Sequence, residues 1–231
     1  MTVAQIPFEA FFVEAGAGRC FCLYFPAVGQ ARGAVLYIPP LAEEMNRSRR
    51  MVALQARALA EAGFAVLQMD LFGCGDSDGD FGDASWAAWI DNLEAGLAWL
   101  EKRAAGPLWL WGLRAGCLLG AALLERGQRP HGLLMWQPVL SGEQALRQFL
   151  RLKTVADVAA GLKPQDYTGL YHALEQGDEI VVSGYRLNPA LARGIVLRLE
   201  SGCHIGHGFQ AQELAQCLLP GQNRLPHQEP L

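Results

Sequence analysis

The stretch Pro107-Leu-Trp-Leu-Trp-Gly-Leu-Arg-Ala-Gly116 decides the fold that this sequence predicts. Within it, Leu108 to Trp111 is a continuous apolar run bounded by glycine and proline, a pattern typical of a strand buried on both faces. The segment from Cys117 to Leu124 follows directly, is apolar on every side and is stopped by Gly127, which predicts a buried helix. A buried strand leading into a buried helix indicates a sheet covered by helices.

The turn between the predicted strand and helix, Gly112-Leu-Arg-Ala-Gly116, keeps both glycines of a nucleophile elbow, whose motif is Gly-x-Ser-x-Gly. Such a turn crowds its neighbours, so only a residue without a Cβ atom fits at the glycine positions. Arg114 stands where the motif has its serine. A guanidinium group stays protonated and has no lone pair to offer, so Arg114 cannot attack a carbonyl carbon. The scaffold predicts a hydrolase, but the residue at the key position does not.

Buried strands and amphipathic helices alternate along the chain on both sides of this turn. The pattern predicts βαβ units and a mostly parallel sheet, with an antiparallel N-terminal hairpin at one edge and helices on both faces. The predicted strands are 8–14, 19–25, 35–38, 64–69, 108–111, 132–136 and 179–182. The predicted helices start at Asn46 or Ser48, at Ser85, at Cys117 and at Gln144, and 188–197 is helical or partly extended. Sites in such sheets lie beyond the carboxyl ends of the strands, where the loops 39–47, 70–84 and 113–116 converge.

A chain of 231 residues is long enough for one sizeable domain, and no stretch has the composition of a linker. We therefore expect a single domain over residues 1–217, in which 138–200 is a small cap-like insertion. Residues 218–231 are rich in proline and polar side chains, which predicts a disordered tail.

Composition excludes several classes of function. A net charge of −4 and a pI near 5.7 give no electrostatic case for nucleic acid. We expect no membrane span, because the longest apolar region contains Arg114. The six cysteines form no Cys-x-x-Cys pair, which favours free thiols in the cytoplasm and no metal site. No cofactor is expected, since Gly73, Gly75 and Gly79 lack the spacing of a dinucleotide-binding loop.

Three stretches carry a resemblance to known proteins: Leu41-Ala-Glu-Glu-Met-Asn-Arg-Ser-Arg-Arg50, Asp70-Leu-Phe-Gly-Cys-Gly-Asp-Ser-Asp-Gly-Asp-Phe-Gly82 and Leu108-Trp-Leu-Trp-Gly-Leu-Arg-Ala-Gly116. Together they resemble the α/β-hydrolase superfamily and, more narrowly, the exosortase A system-associated hydrolase 2 family, over roughly residues 8 to 195. The resemblance implies an α/β-hydrolase fold, arginine at the elbow as a family feature, and a gene beside those for exopolysaccharide and exosortase functions. The carboxyl-terminal part departs from the resemblance, because members continue with more strands and helices, so an altered terminus is a hypothesis.

Three other residues are candidate catalytic groups, and each has a structural role as its alternative. Ser77 is a candidate nucleophile, but glycine and aspartate around it favour a turn in which the hydroxyl bonds to nearby backbone. Ser141 is a second candidate, with a helix cap as the favoured alternative. His207 is the candidate base, with an ordinary loop histidine favoured over it.

Arg114 itself has two interpretations, which the sequence leaves open. In the first, it pairs with Asp70, Asp76 or Glu43 and only fixes the loops. In the second, it binds a carboxylate or phosphate on a small molecule or an acyl, sugar or lipid carrier, because the following helix directs free N–H groups at this point. The predicted binding residues are Pro40, Leu41, Asp76, Leu113, Arg114 and Ala115. The function is accordingly an ester or thioester hydrolase or, alternatively, a catalytically degenerate binding protein.

Overall fold

A computed structural model describes residues 6–196 of the chain. Its main feature is a six-stranded sheet in the order β1-β2-β4-β3-β5-β6. The strands are β1 (Glu9–Glu14), β2 (Arg19–Phe25), β3 (Gly33–Ile38), β4 (Phe64–Met69), β5 (Leu108–Leu113) and β6 (Gly132–Trp136). The pairs β1/β2 and β2/β4 are antiparallel, whereas β4/β3, β3/β5 and β5/β6 are parallel. The sheet is therefore mixed, as predicted, with the hairpin at one edge.

Helices cover both faces of this sheet. They are α1 (Glu43–Glu61), α2 (Trp86–Arg103), α3 (Gly116–Glu125), α4 (Gly142–Ala159), α5 (Tyr167–Gln176) and α6 (Pro189–Val196). A short 3₁₀ turn lies at Phe81–Asp83, and a separate hairpin consists of β7 (Ile180–Val182) and β8 (Tyr185–Leu187). Among the described residues, no helix is both long and apolar enough to cross a lipid bilayer.

The alternation of side chains along β3 explains why the chain has two cores. Every residue of β3 is buried, and successive residues point to opposite faces of the sheet. Leu36 and Ile38 join the larger core, which α2, α3 and the helices after β6 complete. Val35 and Tyr37 join the smaller core under α1. A strand flanked by helices on both faces has to be apolar throughout, which is the pattern seen in the sequence.

Most predicted elements are found within a few residues of their expected bounds, but the start of α1 was predicted wrongly. The helix begins at Glu43 rather than after Asn46 or Ser48, and the residue before it, Ala42, has a positive φ of 47° and provides no side-chain cap. Glu43 and Glu44 lie in the first turn, where negative charge favours the helix N-terminus. This acidic pair is the feature of the sequence that indicates where α1 begins.

The part after β6 is more regular than the sequence predicted. The helix α4 extends from Gly142 to Ala159, instead of starting at Gln144, and α5 and β8 were not predicted at all. The backbone of Ile195 in α6 contacts Gly142 so closely that a Cβ atom there would overlap it. This contact holds α6 against the start of α4. The predicted tail 218–231 lies outside the described residues.

Candidate functional site

The turn at Arg114 has the backbone of a nucleophile elbow. Arg114 has a φ of 54°, in the left-handed region that residues with a Cβ atom seldom adopt. A Cβ atom on Gly112 would lie 2.8 Å from the backbone of Cys117, and one on Gly116 would overlap the carbonyl oxygen of Ile38. The turn is fixed further because the N–H of Arg114 donates to the carbonyl of Trp136 at 2.9 Å. The two glycines therefore meet the steric demand that the sequence predicted.

The side chain of Arg114 is held by two acceptors. Its Nε and Nη2 both lie 3.2 Å from Oε1 of Glu44, and Nη2 donates to Oε1 of Gln148 at 2.7 Å. The predicted partners Asp70, Asp76 and Glu43 were wrong, because Glu44 points into the site from the first turn of α1. Arg114 thus joins the elbow to α1 and to α4.

A cavity of about 190 Å³ lies beside the elbow. It is bounded by the loop before α1, by the elbow, by α4 and by the tip of the β7–β8 hairpin. Its apolar lining is formed by Leu41, Ala115, Val139, Ala145, Phe149 and Leu152, and its polar lining by Glu43, Glu44, Arg47, Gln148 and Ser183. Glu44 and Gln148, the two partners of Arg114, belong to this lining, so the guanidinium group contacts the wall of the cavity, although Arg114 itself lines a different groove.

The predicted binding residues do not form a single site. Leu41 and Ala115 line the cavity beside the elbow, whereas Leu113 and Arg114 line an open groove of about 600 Å³ between α1 and the end of β6. Pro40 is buried, and Asp76 lines a third cavity at the glycine-rich loop, which is formed by residues 70–84. The loops do meet at the carboxyl ends of the strands, but side-chain direction separates the residues that the sequence grouped together.

The N–H of Ala115 is one group that the elbow leaves available. In this fold the residue after the nucleophile supplies one N–H of the oxyanion hole, and the loop after β3 supplies the other. Ala115 is that residue here, and within residues 6–196 its N–H donates to no backbone carbonyl. It also precedes α3, whose N-terminus carries a partial positive charge. The geometry suits an oxygen atom of partial or full negative charge.

The candidate nucleophile Ser77 is occupied by structural hydrogen bonds. Its Oγ donates to the carbonyl of Asp70 at 2.6 Å and accepts the N–H of Phe21 at 2.8 Å. The Asp70 carboxylate in turn accepts from Nη2 of Arg49 at 2.9 Å and from the N–H of Asp76 at 3.1 Å. Ser77 and Asp70 therefore tie the glycine-rich loop to β2 and α1, as the structural alternative for Ser77 predicted.

The remaining candidates have equally local roles or lie outside the described residues. Ser141 is the N-cap of α4, where its Oγ accepts the N–H of Gln144. The Cys117 thiol faces the carbonyl of Gly112 at 3.2 Å, and burial raises its pKa to about 12. At neutral pH that thiol is protonated, so it is a poor nucleophile. His207 lies outside the described residues.

Three contributors to the site were missed. Glu44 could have been found, since it belongs to the distinctive stretch Leu41 to Arg50, but its neighbour Glu43 was predicted as the partner of Arg114 instead. Gln148 lies on α4, and its approach to Arg114 depends on how that helix packs. Ser183 lies at the tip of the β7–β8 hairpin with a φ of 50°, which places it at the rim of the cavity. Across residues 6–196, no cluster of histidine, cysteine and acidic side chains could hold a metal ion.

Comparison with known proteins agrees with this fold. A family model described as serine aminopeptidase, S33, matches residues 29–199. Est1E from Butyrivibrio proteoclasticus, solved with ferulic acid bound, is 18% identical; the match covers 80% of this chain and 70% of that one, with a TM-score of 0.59. A putative hydrolase from Agrobacterium vitis is also 18% identical, with 82% and 71% covered and a TM-score of 0.54. These likenesses show an α/β-hydrolase fold.

A serine hydrolase without a lid from Xanthomonas campestris is 22% identical over 58% of this chain, with a TM-score of 0.46. The chain spans only 63% of the length of that protein. A search of curated proteins found no match.

Proposed function

The chain belongs to the serine aminopeptidase S33 family, and we propose that this member uses its elbow to bind a carboxylate with an acyl chain rather than to cleave a bond. The conformation of Arg114 carries the proposal, because a residue with a long side chain keeps the positive φ of a nucleophile. Such a backbone costs on the order of 1–3 kcal/mol and clusters at functional sites. Glycine would relieve the strain, so a strained arginine beside a cavity supports a role for this residue at the site.

The described nucleophiles do not support cleavage. The guanidinium of Arg114 cannot attack, and the Cys117 thiol is buried with a pKa near 12. Ser77 and Ser141 satisfy the backbone around them. Binding needs none of these groups and uses the features that the elbow retains.

The lining of the cavity beside the elbow indicates the kind of ligand. Leu41, Val139, Phe149 and Leu152 provide an apolar surface, and two of the polar lining residues, Glu44 and Gln148, contact Arg114. A volume of about 190 Å³ is below the roughly 300–1,000 Å³ of sites for drug-sized molecules, which favours a short acyl chain. We infer that the ligand carboxylate displaces Glu44 from Arg114 and accepts the N–H of Ala115, since charge-assisted hydrogen bonds are the strong ones.

Calorimetric titration with straight-chain carboxylates from acetate to octanoate tests this binding. We expect Arg114→Ala to weaken binding about tenfold or more, because a charge-assisted hydrogen bond is lost. Glu44→Gln should strengthen binding, since it removes the internal competitor for Arg114. The matched control is Arg147→Ala, because Arg147 makes a similar pair with Glu143 on the exposed side of α4. Equal affinity in the wild type and Arg114→Ala would exclude the site.

The second candidate is an ester or thioester hydrolase with a nucleophile elsewhere, which the retained N–H of Ala115 favours. Labelling with a fluorophosphonate, followed by peptide mass spectrometry, tests it, since the probe modifies only activated hydroxyl groups. We expect no adduct. A stoichiometric adduct on Ser77, Ser141 or Ser183 would replace the binding proposal with hydrolysis.

The finer assignments are part of the same proposal. We place the chain in the exosortase A system-associated hydrolase 2 family on the three motif stretches quoted above. Residues 138–200 act as a cap, a role supported by Gln148 and Phe149 of α4 in the cavity lining. The free thiols of Cys20, Cys22, Cys74 and Cys117 suit the reducing cytoplasm.

A further inference from the structure

A cavity of about 750 Å³ lies between the glycine-rich loop and the β7–β8 hairpin, apart from the cavity beside the elbow. We propose that this polar cleft binds a neutral, polyhydroxylated ligand, which is the chemistry of a carbohydrate. Its polar side chains are Asn46, Arg49, Asp76, Asp80, Tyr185 and Arg186, and the rest of its lining is Gly73, Gly75, Gly79, Phe81, Gly82 and Gly184.

The charges that line the polar cleft favour a neutral ligand over an anion. Two guanidinium groups, Arg49 and Arg186, are balanced by two carboxylates, Asp76 and Asp80. A phosphate or carboxylate that approached the arginines would also meet the carboxylates, and like charges disfavour that approach. A hydroxyl group both donates and accepts, so adjacent hydroxyls can donate to the carboxylates and accept from the guanidinium groups.

One guanidinium group is available for this role. Arg186 approaches Asp83 and Glu179 only at 3.9 and 3.8 Å, which are charge contacts longer than a hydrogen bond. Its side chain packs across Gly82, and a Cβ atom at that position would overlap the guanidinium group. Glycine at position 82 therefore leaves the space that Arg186 occupies in the cleft. Arg186 thus reaches the ligand space with donors that its carboxylate neighbours do not saturate.

The glycine-rich loop that lines most of the polar cleft is held in place by hydrogen bonds within the protein. Asp70 accepts from Arg49 and from the N–H of Asp76, and the N–H of Gly73 donates to the carbonyl of Asp78 at 2.9 Å. The loop is also anchored from behind by the buried Asn92, whose Oδ1 accepts the N–H of Phe72 at 2.8 Å. A preformed wall lowers the entropic cost of binding a weakly interacting ligand.

An aromatic side chain separates the polar cleft from the cavity beside the elbow. The Tyr185 hydroxyl donates to Glu43 at 3.1 Å and accepts from Nδ2 of Asn46 at 2.9 Å, while its ring meets Phe81 edge to face at 5.3 Å. Tyr185 and Asn46 line the polar cleft, whereas Glu43 lines the other cavity. The ring of Tyr185 supplies an apolar face against which the C–H groups of a sugar can pack. The two cavities adjoin, but the polar cleft does not depend on Arg114.

Saturation-transfer NMR with glucose, galactose, maltotriose and cellotriose tests the proposal, with inorganic phosphate as the anionic comparison. We expect a signal from at least one sugar, and Asp76→Ala and Arg186→Ala should each weaken that binding about tenfold or more, since each removes charged hydrogen-bonding groups. Asp178→Ala is the control for an exposed carboxylate outside the cleft. Circular dichroism checks folding, and should Arg186→Ala unfold, Asp76→Ala on its exposed loop decides.

Three outcomes would overturn the proposal: no sugar signal, sugar binding that survives both cleft variants, or phosphate that binds the cleft in place of sugar. Arg114→Ala separates this proposal from the carboxylate site. If Arg114→Ala still binds sugar but no longer binds carboxylates, both proposals are supported. If the wild-type protein binds only one of the two ligands, only the proposal for the other ligand is refuted.

Discussion

The guanidinium of Arg114 lies 3.2 Å from the carboxylate of Glu44, so the residue at the nucleophile position is joined to the first turn of α1. The two side chains are 29% and 45% exposed. An ion pair with this exposure contributes about 0–1 kcal/mol to stability, because solvent screens it. The pair therefore orients the guanidinium group at the cavity wall more than it stabilises the fold.

The strained backbone of Arg114 predicts an unusual order of stability among its variants. Arg114→Gly and Arg114→Ala both lose the contacts to Glu44 and Gln148, but only glycine adopts a φ of 54° without strain. We expect the glycine variant to be more stable than the alanine variant by about 1 kcal/mol, after the greater freedom of glycine in the unfolded chain is allowed for. Urea denaturation of the two variants measures this difference. Equal stabilities, or the reverse order, would mean that the elbow is relaxed.

Local sequence patterns predicted the sheet and the elbow because these depend on short-range physics. Apolar runs such as Phe64–Met69 and Gly132–Trp136 indicate strands, and both were found with the predicted bounds. The prediction that both are buried was confirmed for β4 but not for β6, which lies at the edge of the described sheet with only Leu134 buried. Helix α5 was missed although the sequence carries its signals, since Asp166 caps it, Gly177 ends it in the left-handed conformation, and the buried Leu170 and Leu174 are four residues apart.

The crowding around the elbow predicts that its glycines are irreplaceable. A Cβ atom on Gly116 overlaps the carbonyl of Ile38, and one on Gly112 meets the backbone of Cys117, so in each case two backbone segments have to move apart. We expect Gly116→Ala and Gly112→Ala to lose about 1–3 kcal/mol of unfolding free energy or more. Gly169→Ala, on the exposed side of α5, is the control and should be neutral or stabilising. Thermal unfolding of the three variants compares them, and unaltered stability of Gly116→Ala would contradict the close contact.

The buried carboxylate of Asp70 is predicted to hold the glycine-rich loop in its folded conformation. It accepts from Arg49 at 2.9 Å and from the N–H of Asp76, and its side chain is only 9% exposed. Asp70→Asn keeps the shape but removes the charge, so we expect a loss of about 2 kcal/mol in the free energy of unfolding. The matched control is Asp78→Asn, whose carboxylate pairs with Arg19 at the surface and should matter less. Chemical denaturation measures the free energy of unfolding of both variants. A smaller loss for Asp70→Asn than for Asp78→Asn would contradict the prediction.

The composition of the candidate site was less predictable than the fold. Glu44 and Gln148 come from α1 and α4, which are about a hundred residues apart in the chain, and only packing brings both to Arg114. A sequence motif reports the elbow because its glycines answer a local steric demand. It does not report which distant carboxylate neutralises the arginine, since Glu43, Glu44, Asp70 and Asp76 all lie on loops or helix ends at the same edge of the sheet.

Burial of the thiols predicts slow alkylation and a loss of stability at alkaline pH. Desolvation raises the pKa of Cys20 to about 11 and the pKa values of Cys22 and Cys117 to about 12, from an ordinary value of 9.0. Between about pH 9 and pH 11 the folded chain therefore binds more protons than the unfolded chain, so the free energy of unfolding falls as pH rises. Urea titrations at about pH 8 and about pH 10 measure the fall, which Cys22→Ala should reduce. In parallel, peptide mass spectrometry after iodoacetamide treatment at about pH 8 should find these three thiols unmodified until urea is added. Rapid alkylation of Cys117 in the folded protein would show that the elbow opens to solvent.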